Sequence, residues 1–161
     1  FMPMIEKKYR CGGEKGNRAL AGLSMGGGGT TSYAQRHPDM FSSAYAISAL
    51  MDIPDFPGAQ NPAPSPGDKM GILTQSVKDH SCIKFVENAD DSVKNSLRTV
   101  AWFVDCGDDD FLLDRNIQFF QAMRNAGIPL QFRVRDGGHT NEYWHSALFS
   151  ALPFASRNFK K

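Results

Sequence analysis

The strongest constraint on this chain is one short motif, Gly22-Leu23-Ser24-Met25-Gly26. It follows a continuous apolar run, Ala19-Leu20-Ala21-Gly22-Leu23, which reads as a strand buried on both faces. It precedes a helix predicted from about Met25 to Arg36 and stopped ahead of Pro38. A strand that turns directly into a helix forces its apex residue into a strained backbone conformation. Only very small residues two positions either side then avoid a collision. The apex side chain, Ser24, is pushed out above the sheet at the positive end of the following helix. A bare G-x-S-x-G is common; one bounded by an apolar strand and by glycines 26 to 29 is far more specific. The bland alternative is a glycine-rich turn with a bystander serine.

The rest of the chain alternates in the same way. Phe1 to Arg10 reads as an amphipathic helix joined in mid-protein, with Pro3 in its first turn and Met4, Ile5 and Tyr9 facing inward. It has no basic n-region, apolar h-region or cleavage site, so it is not a signal peptide, and the chain reads as a fragment. Residues 11–18 are a loop by their glycines. Ala44-Tyr45-Ala46-Ile47 is a second strand, and Ile83 to Asn95 a helix. Thr99-Val100-Ala101-Trp102-Phe103-Val104 is the clearest strand. Leu113, Ile117, Phe120 and Met123 recur at helical spacing until Gly127 and Pro129. Gln131 to Arg135 alternates like an edge strand with one wet face, and Tyr143 to about Phe154 closes the chain as a helix. Residues 52–80 differ: Pro54, Pro57, Pro62, Pro64 and Pro66 alternate with Gly58, Gly67 and Gly71, which predicts an irregular insertion over the sheet near the active site. The alternation implies one α/β domain over residues 1–161 with a mostly parallel sheet.

Composition narrows the function. At 41% hydrophobic and 22% charged residues, the 161-residue chain is ordinarily globular. Eighteen Lys and Arg against 17 Asp and Glu leave a net charge of +1, which supplies no field for steering nucleic acid or anionic lipid. No apolar run approaches the roughly 18–20 residues of a membrane span. Cys11, Cys82 and Cys106 form no CxxC pattern and cannot all pair, which argues against a disulfide scaffold. No HxH or HExxH spacing supports a metal site, and no cofactor is implied.

A serine hydroxyl is a poor nucleophile until a base takes its proton and an acid orients that base. In such sheets the partners lie on loops after later strands, in the order Ser, Asp, His. Two loops qualify, each at the carboxyl end of a predicted strand. Asp105-Cys106-Gly107-Asp108-Asp109-Asp110-Phe111-Leu112 offers the acid, and Asp136-Gly137-Gly138-His139-Thr140 offers the base. His37 reads as a helix end, His80 falls in the irregular stretch, and His145 lies one turn into the last helix, so His139 is the candidate base.

Three segments together resemble a family. Arg18 to Gly27, Cys106 to Leu112, and Gly137-Gly138-His139-Thr140-Asn141-Glu142-Tyr143-Trp144 look like the esterase D-type esterases, most similar to the family 1 carbohydrate esterases (feruloyl and acetyl xylan esterases). The resemblance covers the C-terminal part of that domain. It implies the C-terminal half of an α/β-hydrolase fold, a mostly parallel sheet flanked by helices. It implies Ser24 as nucleophile, His139 as base and Asp110 as acid, with Asp109 the runner-up. Asn141 departs from relatives, which commonly carry an aromatic residue there. The Met25 N–H would supply one oxyanion donor; the second lies on an earlier loop with no counterpart here. The implied substrate is a feruloyl or acetyl ester on plant cell-wall xylan, with Trp144 and the 52–80 insertion as candidate pocket walls. The implied location is secreted or periplasmic. S-formylglutathione hydrolase-like thioesterase work, or a non-catalytic carbohydrate-binding module, are the competing expectations. The strand 19–23 would be left as a bare apolar edge, an aggregation liability. A second polypeptide or fragment carrying the N-terminal half is therefore expected as a partner.

Overall fold

The computed structural model describes residues 1–53 and 67–160. Four parallel strands form one sheet in the order β1 (Ala19–Leu23), β2 (Ser43–Ile47), β3 (Ala101–Gly107), β4 (Leu130–Arg135). The helices between them are α2 (Met25–Arg36), α3 (Lys69–Asp79), α4 (Cys82–Glu87), α5 (Asp91–Leu97) and α6 (Leu113–Asn125), with α1 (Met2–Tyr9) before the sheet and α7 (Asn141–Arg157) after it. The α/β alternation expected from the sequence is therefore present, as is the parallel sheet.

The alternation of side chains along β3 divides the interior into two cores. On one face Trp102 and Val104 pack against Ala34 of α2, Val86 of α4 and Phe119 and Met123 of α6. On the other, Phe103 joins Tyr45, Ile47 and the α7 residues Tyr143, Ala147, Ala151 and Phe154. Phe103 stacks on Tyr45 with centroids 4.5 Å apart, and Phe154 meets both rings edge-on. The sheet is thus covered by α2, α4 and α6 on one side and by α7 on the other. β2 is buried at every position, as an inner strand between two helical layers must be.

Several local expectations are corrected. The helix expected over Ile83 to Asn95 is two helices. Ser81 caps α4 by accepting the Lys84 N–H, and Asp90 caps α5 by accepting the Val93 N–H. A capping side chain competes with continuing the helix, and each Ser or Asp cap stabilises a new start by about 1 kcal/mol. Of the irregular stretch expected over 52–80, Lys69–Asp79 is the helix α3, since its sequence carries none of the prolines that crowd residues 54–66. The positions 54–66 lie outside the described residues. The first helix forms, but Met4 and Tyr9 are exposed, because no described element packs on that side; its anchor is polar, a two-pronged Arg18–Glu6 pair at 2.6 and 3.0 Å. β1 is one edge of the sheet with Ala21 and Leu23 exposed, the bare apolar edge expected of it here, so its apolar run is not buried on both faces in this chain.

Candidate active site

Ser24 sits at the apex between β1 and α2 with φ 54° and ψ −122°, the strained conformation expected of it. The surroundings hold it there. Its N–H donates to the Ile47 carbonyl at 2.9 Å, and its carbonyl accepts the N–H groups of Gly27, Gly28 and Leu50 at 2.9–3.1 Å. Asn116 braces the partner loop in turn, donating to the Ala49 carbonyl at 2.9 Å. Gly22 is required by space, since a Cβ there would stand 2.6 Å from the Gly26 carbonyl carbon and 2.7 Å from Thr30 Oγ1. Gly26 is not, because a Cβ there meets no atom within 4 Å; the expectation that both flanking glycines avoid a collision is corrected for this one. Along β1, the turn reverses where α2 packs back on the strand, so only the glycine beneath the helix is crowded.

The acid and base loops are stitched together at their roots. The Asp108 N–H donates to the Arg135 carbonyl at 3.0 Å, and the Asp109 N–H to that of Gly137 at 3.1 Å. The Gly137 N–H returns to Asp108 Oδ1 at 2.9 Å. Gly107 passes so close to Gly137 that a Cβ on it would stand 2.6 Å from the Gly137 carbonyl carbon. Gly137 itself has φ 131°, a region that only glycine enters at little cost.

These loops bring three distant side chains into one row. Ser24 Oγ lies 2.9 Å from His139 Nε2, 115 positions along the chain. His139 Nδ1 lies 2.9 Å from Asp110 Oδ2 and 3.1 Å from Oδ1. A carboxylate has only acceptor atoms, so the Nδ1 facing it carries the proton, and neutral Nε2 is left with a lone pair for the Ser24 hydroxyl. Asp110 is buried, and its Oδ1 also accepts the Leu112 N–H at 2.9 Å, which fixes the carboxylate plane. Asp108 and Asp109 are exposed, and Asp110 is the aspartate brought to the imidazole.

Two aromatic rings flank His139. Phe111 is tilted against it at 4.7 Å between centroids, and Trp144 stands perpendicular to it at 4.9 Å. The Trp144 indole N–H is buried without an acceptor among the described residues. Met25, the first residue of α2, presents one of the helix's four N–H groups that lack an intrahelical acceptor. Asn141 opens α7 in an exposed position. The other histidines are elsewhere: His37 and His145 are exposed, and exposed His80 faces the Ser76 carbonyl with Nδ1 at 2.7 Å. Among the described residues no group of three or more His, Cys, Asp or Glu is placed to hold a metal ion. A cleft of about 810 Å³ opens at the opposite, amino-terminal end of the strands, beside Lys15, Thr99 and Arg157, and takes no part in this row.

Sequence reasoning passed over the residue beneath the row. Asp105 is fully buried and accepts Tyr143 Oη at 2.6 Å, Tyr45 Oη at 2.7 Å and the guanidinium of Arg133. Burial alone would raise its carboxyl, but the hydrogen bonds from Arg133, Tyr143 and Tyr45 together hold it below the ordinary aspartate value. The same contacts act oppositely on their donors. Burial first, then the bond to Asp105, pushes the Tyr45 and Tyr143 hydroxyls well above the usual phenol range. The signal available in the sequence was a carboxylate inside an apolar strand, a placement that demands partners.

A parallel sheet with helices on both faces, a strained serine between strand and helix, and an imidazole and carboxylate delivered from later strand ends define the α/β-hydrolase fold. Residues 1–155 match the model of the Esterase family. A solved structure of a ferulic acid esterase is 62% identical with a TM-score of 0.91, over 99% of this chain and 58% of that one. An acetyl esterase of Caldicellulosiruptor saccharolyticus is 26% identical over 145 residues, 86% of this chain and 54% of the relative. A fluorophosphonate-binding serine hydrolase of Staphylococcus aureus, 24% identical with a TM-score of 0.74 over 96% of this chain and 60% of its own, shares the fold. The chain belongs to the Esterase family. It spans little more than half the length of the ferulic acid esterase and the acetyl esterase.

Proposed function

We propose that this chain carries the nucleophile, base and acid of a carboxylic ester hydrolase that works through an acyl-enzyme. The reading rests on one observation, the row Ser24–His139–Asp110 with both spacings at 2.9 Å. His139 Nε2 takes the Ser24 proton as Oγ attacks the ester carbonyl, and Asp110 steadies the imidazolium that forms. The tetrahedral oxyanion receives the Met25 N–H. His139 then hands the proton to the departing alkoxide, leaving the acyl group on Ser24. Water attacks that ester with His139 again as base, and the acid and free enzyme separate.

For the acyl group we propose feruloyl or acetyl esters on plant cell-wall xylan. The ferulic acid esterase at 62% identity and the acetyl esterase at 26% support this choice, as do Phe111 and Trp144 beside His139, which suit a flat aromatic acid. We further propose that the chain is part of a larger domain, and that another polypeptide segment pairs with the free edge of β1 and brings the second oxyanion donor. An exposed apolar edge strand, and a length of 58% of the ferulic acid esterase, support that arrangement.

An aryl fluorophosphonate tests the chemistry. Covalent capture at Ser24, lost in Ser24→Ala and His139→Ala and kept in His145→Ala, is the expected result. Equal losses in the two histidine variants would mean that the base is misassigned. Rates on methyl ferulate and 4-nitrophenyl acetate then rank the acyl groups. Native mass spectrometry tests the partner: a lone 17.8 kDa chain with full hydrolytic activity would sink that part of the reading.

A further inference from the structure

We infer that Asp105 is a positioning residue for the Ser24–His139–Asp110 row, its buried carboxylate pinning the roots of the two loops that carry acid and base. The inference rests on the reading of that row as a hydrolytic triad. It extends that reading to a side chain that touches neither substrate nor reacting atoms.

Asp105 lies on β3, two positions before Gly107 and five before Asp110. In register it faces Ile47 on β2 and Arg133 on β4. Its carboxylate receives donors from three elements: Tyr45 on β2 at 2.7 Å, Arg133 on β4, and Tyr143 on α7 at 2.6 Å. Arg135, at the end of β4, reaches both carboxylate oxygens more loosely at 3.4 Å. The acid loop leaves from the strand that carries the hub; the base loop runs between Arg135 and Tyr143, which both bind it.

Each tie bears directly on a loop. Tyr143, in the first turn of α7, follows His139 by four positions, and its Cδ2 lies 2.8 Å from where a Gly137 Cβ would stand, so the ring is a wall against which the base loop bends. The bond to Asp105 fixes how far that wall reaches toward the sheet. The Arg135 guanidinium lies over the same ring, 4.5 Å from its centroid, while the Arg135 carbonyl accepts the Asp108 N–H. A carboxylate with geometrically demanding donors on three elements fixes their mutual placement. Apolar packing of the same volume makes no such directional demand on those donors.

A purely structural role makes a different prediction. Buried ion pairs are commonly replaced without losing the fold, so Asp105 would then matter for unfolding and not for the row. Two readouts on the full chain separate the cases. One is the rate of capture by the fluorophosphonate at a temperature where each variant is folded. The other is the low-field proton resonance of His139 Nδ1–H, which reports its bond to Asp110 and does not depend on activity. Asp105→Asn is expected to slow capture about 10²-fold, the usual cost of misplacing reacting groups by about 1 Å. It should also shift or abolish the low-field resonance. Tyr143→Phe removes only the hydroxyl and keeps the ring against Gly137; it is expected to slow capture about tenfold, with a smaller shift of the same resonance. If Asp105→Asn fails to fold, Tyr143→Phe alone decides. Folded variants with an unchanged resonance and capture within about twofold of wild type would overturn the inference. A wild-type chain that resists capture but shows the resonance would remove the hydrolytic reading, while the shift in the variants would still decide the positioning role.

Discussion

Replacing Gly107 by alanine tests how closely the two loops are coupled. The new Cβ would stand 2.6 Å from the Gly137 carbonyl carbon and closer still to its oxygen. Both are backbone atoms, so no side chain can swing aside. Ordinary van der Waals contact begins at 3.4 Å, so clearing the carbonyl carbon alone, from 2.6 Å, parts the strands' ends by about 0.8 Å, and clearing its oxygen takes more. His139 lies two positions beyond Gly137 and inherits the movement. Ser24 Oγ and Nε2 stand 2.9 Å apart, so a displacement of that size directed along their line carries them past hydrogen-bonding reach. The expected loss in the rate of Ser24 capture is about 10²-fold, by the sensitivity of oriented reactions to about 1 Å of misplacement. Overpacking of this kind also destabilises by about 1–3 kcal/mol. The assay is the second-order rate of fluorophosphonate capture, with urea unfolding followed in parallel. A folded Gly107→Ala protein that reacts within about threefold of wild type would refute the reasoning, since it would show that the loops separate without moving the base.

The other predictions concern the acid, the nucleophile turn and pH. Asp110→Ala should lower capture by about 10⁴-fold or less, in the range known for triad acids, whereas Asp109→Ala should change it little; the reverse order would exchange their roles. Gly22→Ala should destabilise the chain by about 1–3 kcal/mol in urea unfolding because its Cβ meets backbone at 2.6 Å. Gly26→Ala, facing open space inside a helix, should be neutral or gain about 0.5–1 kcal/mol. Stability should fall at both ends of the pH scale. The lowered Asp105 carboxyl contributes stability that is complete above the unfolded value of 3.8 and is lost as pH falls through the folded value below it. The raised Tyr45 and Tyr143 hydroxyls contribute stability that is complete below 10 and is lost as pH climbs above it. Tyr143→Phe should flatten the alkaline limb; unfolding midpoints that stay level from pH 2 to 12 would contradict both limbs.

What could be read from the sequence was whatever a few neighbouring residues enforce. The bend at Ser24 was legible because the apolar run before it and the helix after it leave one conformation at the apex, and φ 54° is the result. The choice of Asp110 among three adjacent aspartates was not legible from chemistry, because all three have the same side chain. What separates them is that Asp110 is buried with its Oδ1 on the Leu112 N–H, a matter of how the turn closes into α6. The split of the 83–95 helix was written in Asp90, a capping residue hidden within an otherwise helical run. The partners of Asp105 were invisible for a different reason: they come from positions 45, 133 and 143, and only the completed sheet brings them together.

β1 stands apart in this sheet, because its composition and its surroundings disagree. A solvent-facing edge strand ordinarily shows charge, proline or a bulge, yet Ala19–Leu23 has none of these, and Ala21 and Leu23 stand exposed. β4, the opposite edge, carries Gln131, Arg133 and Arg135 alternating with apolar residues, and the two arginines bind the buried Asp105 carboxylate. Two edges of one sheet thus obey opposite rules. The polypeptide segment proposed to lie along β1 would cover this edge. Adding that segment in trans is expected to protect the β1 amides from hydrogen exchange and to accelerate Ser24 capture about 10²–10³-fold, the usual worth of one oxyanion donor. Protection without acceleration would place the donor elsewhere.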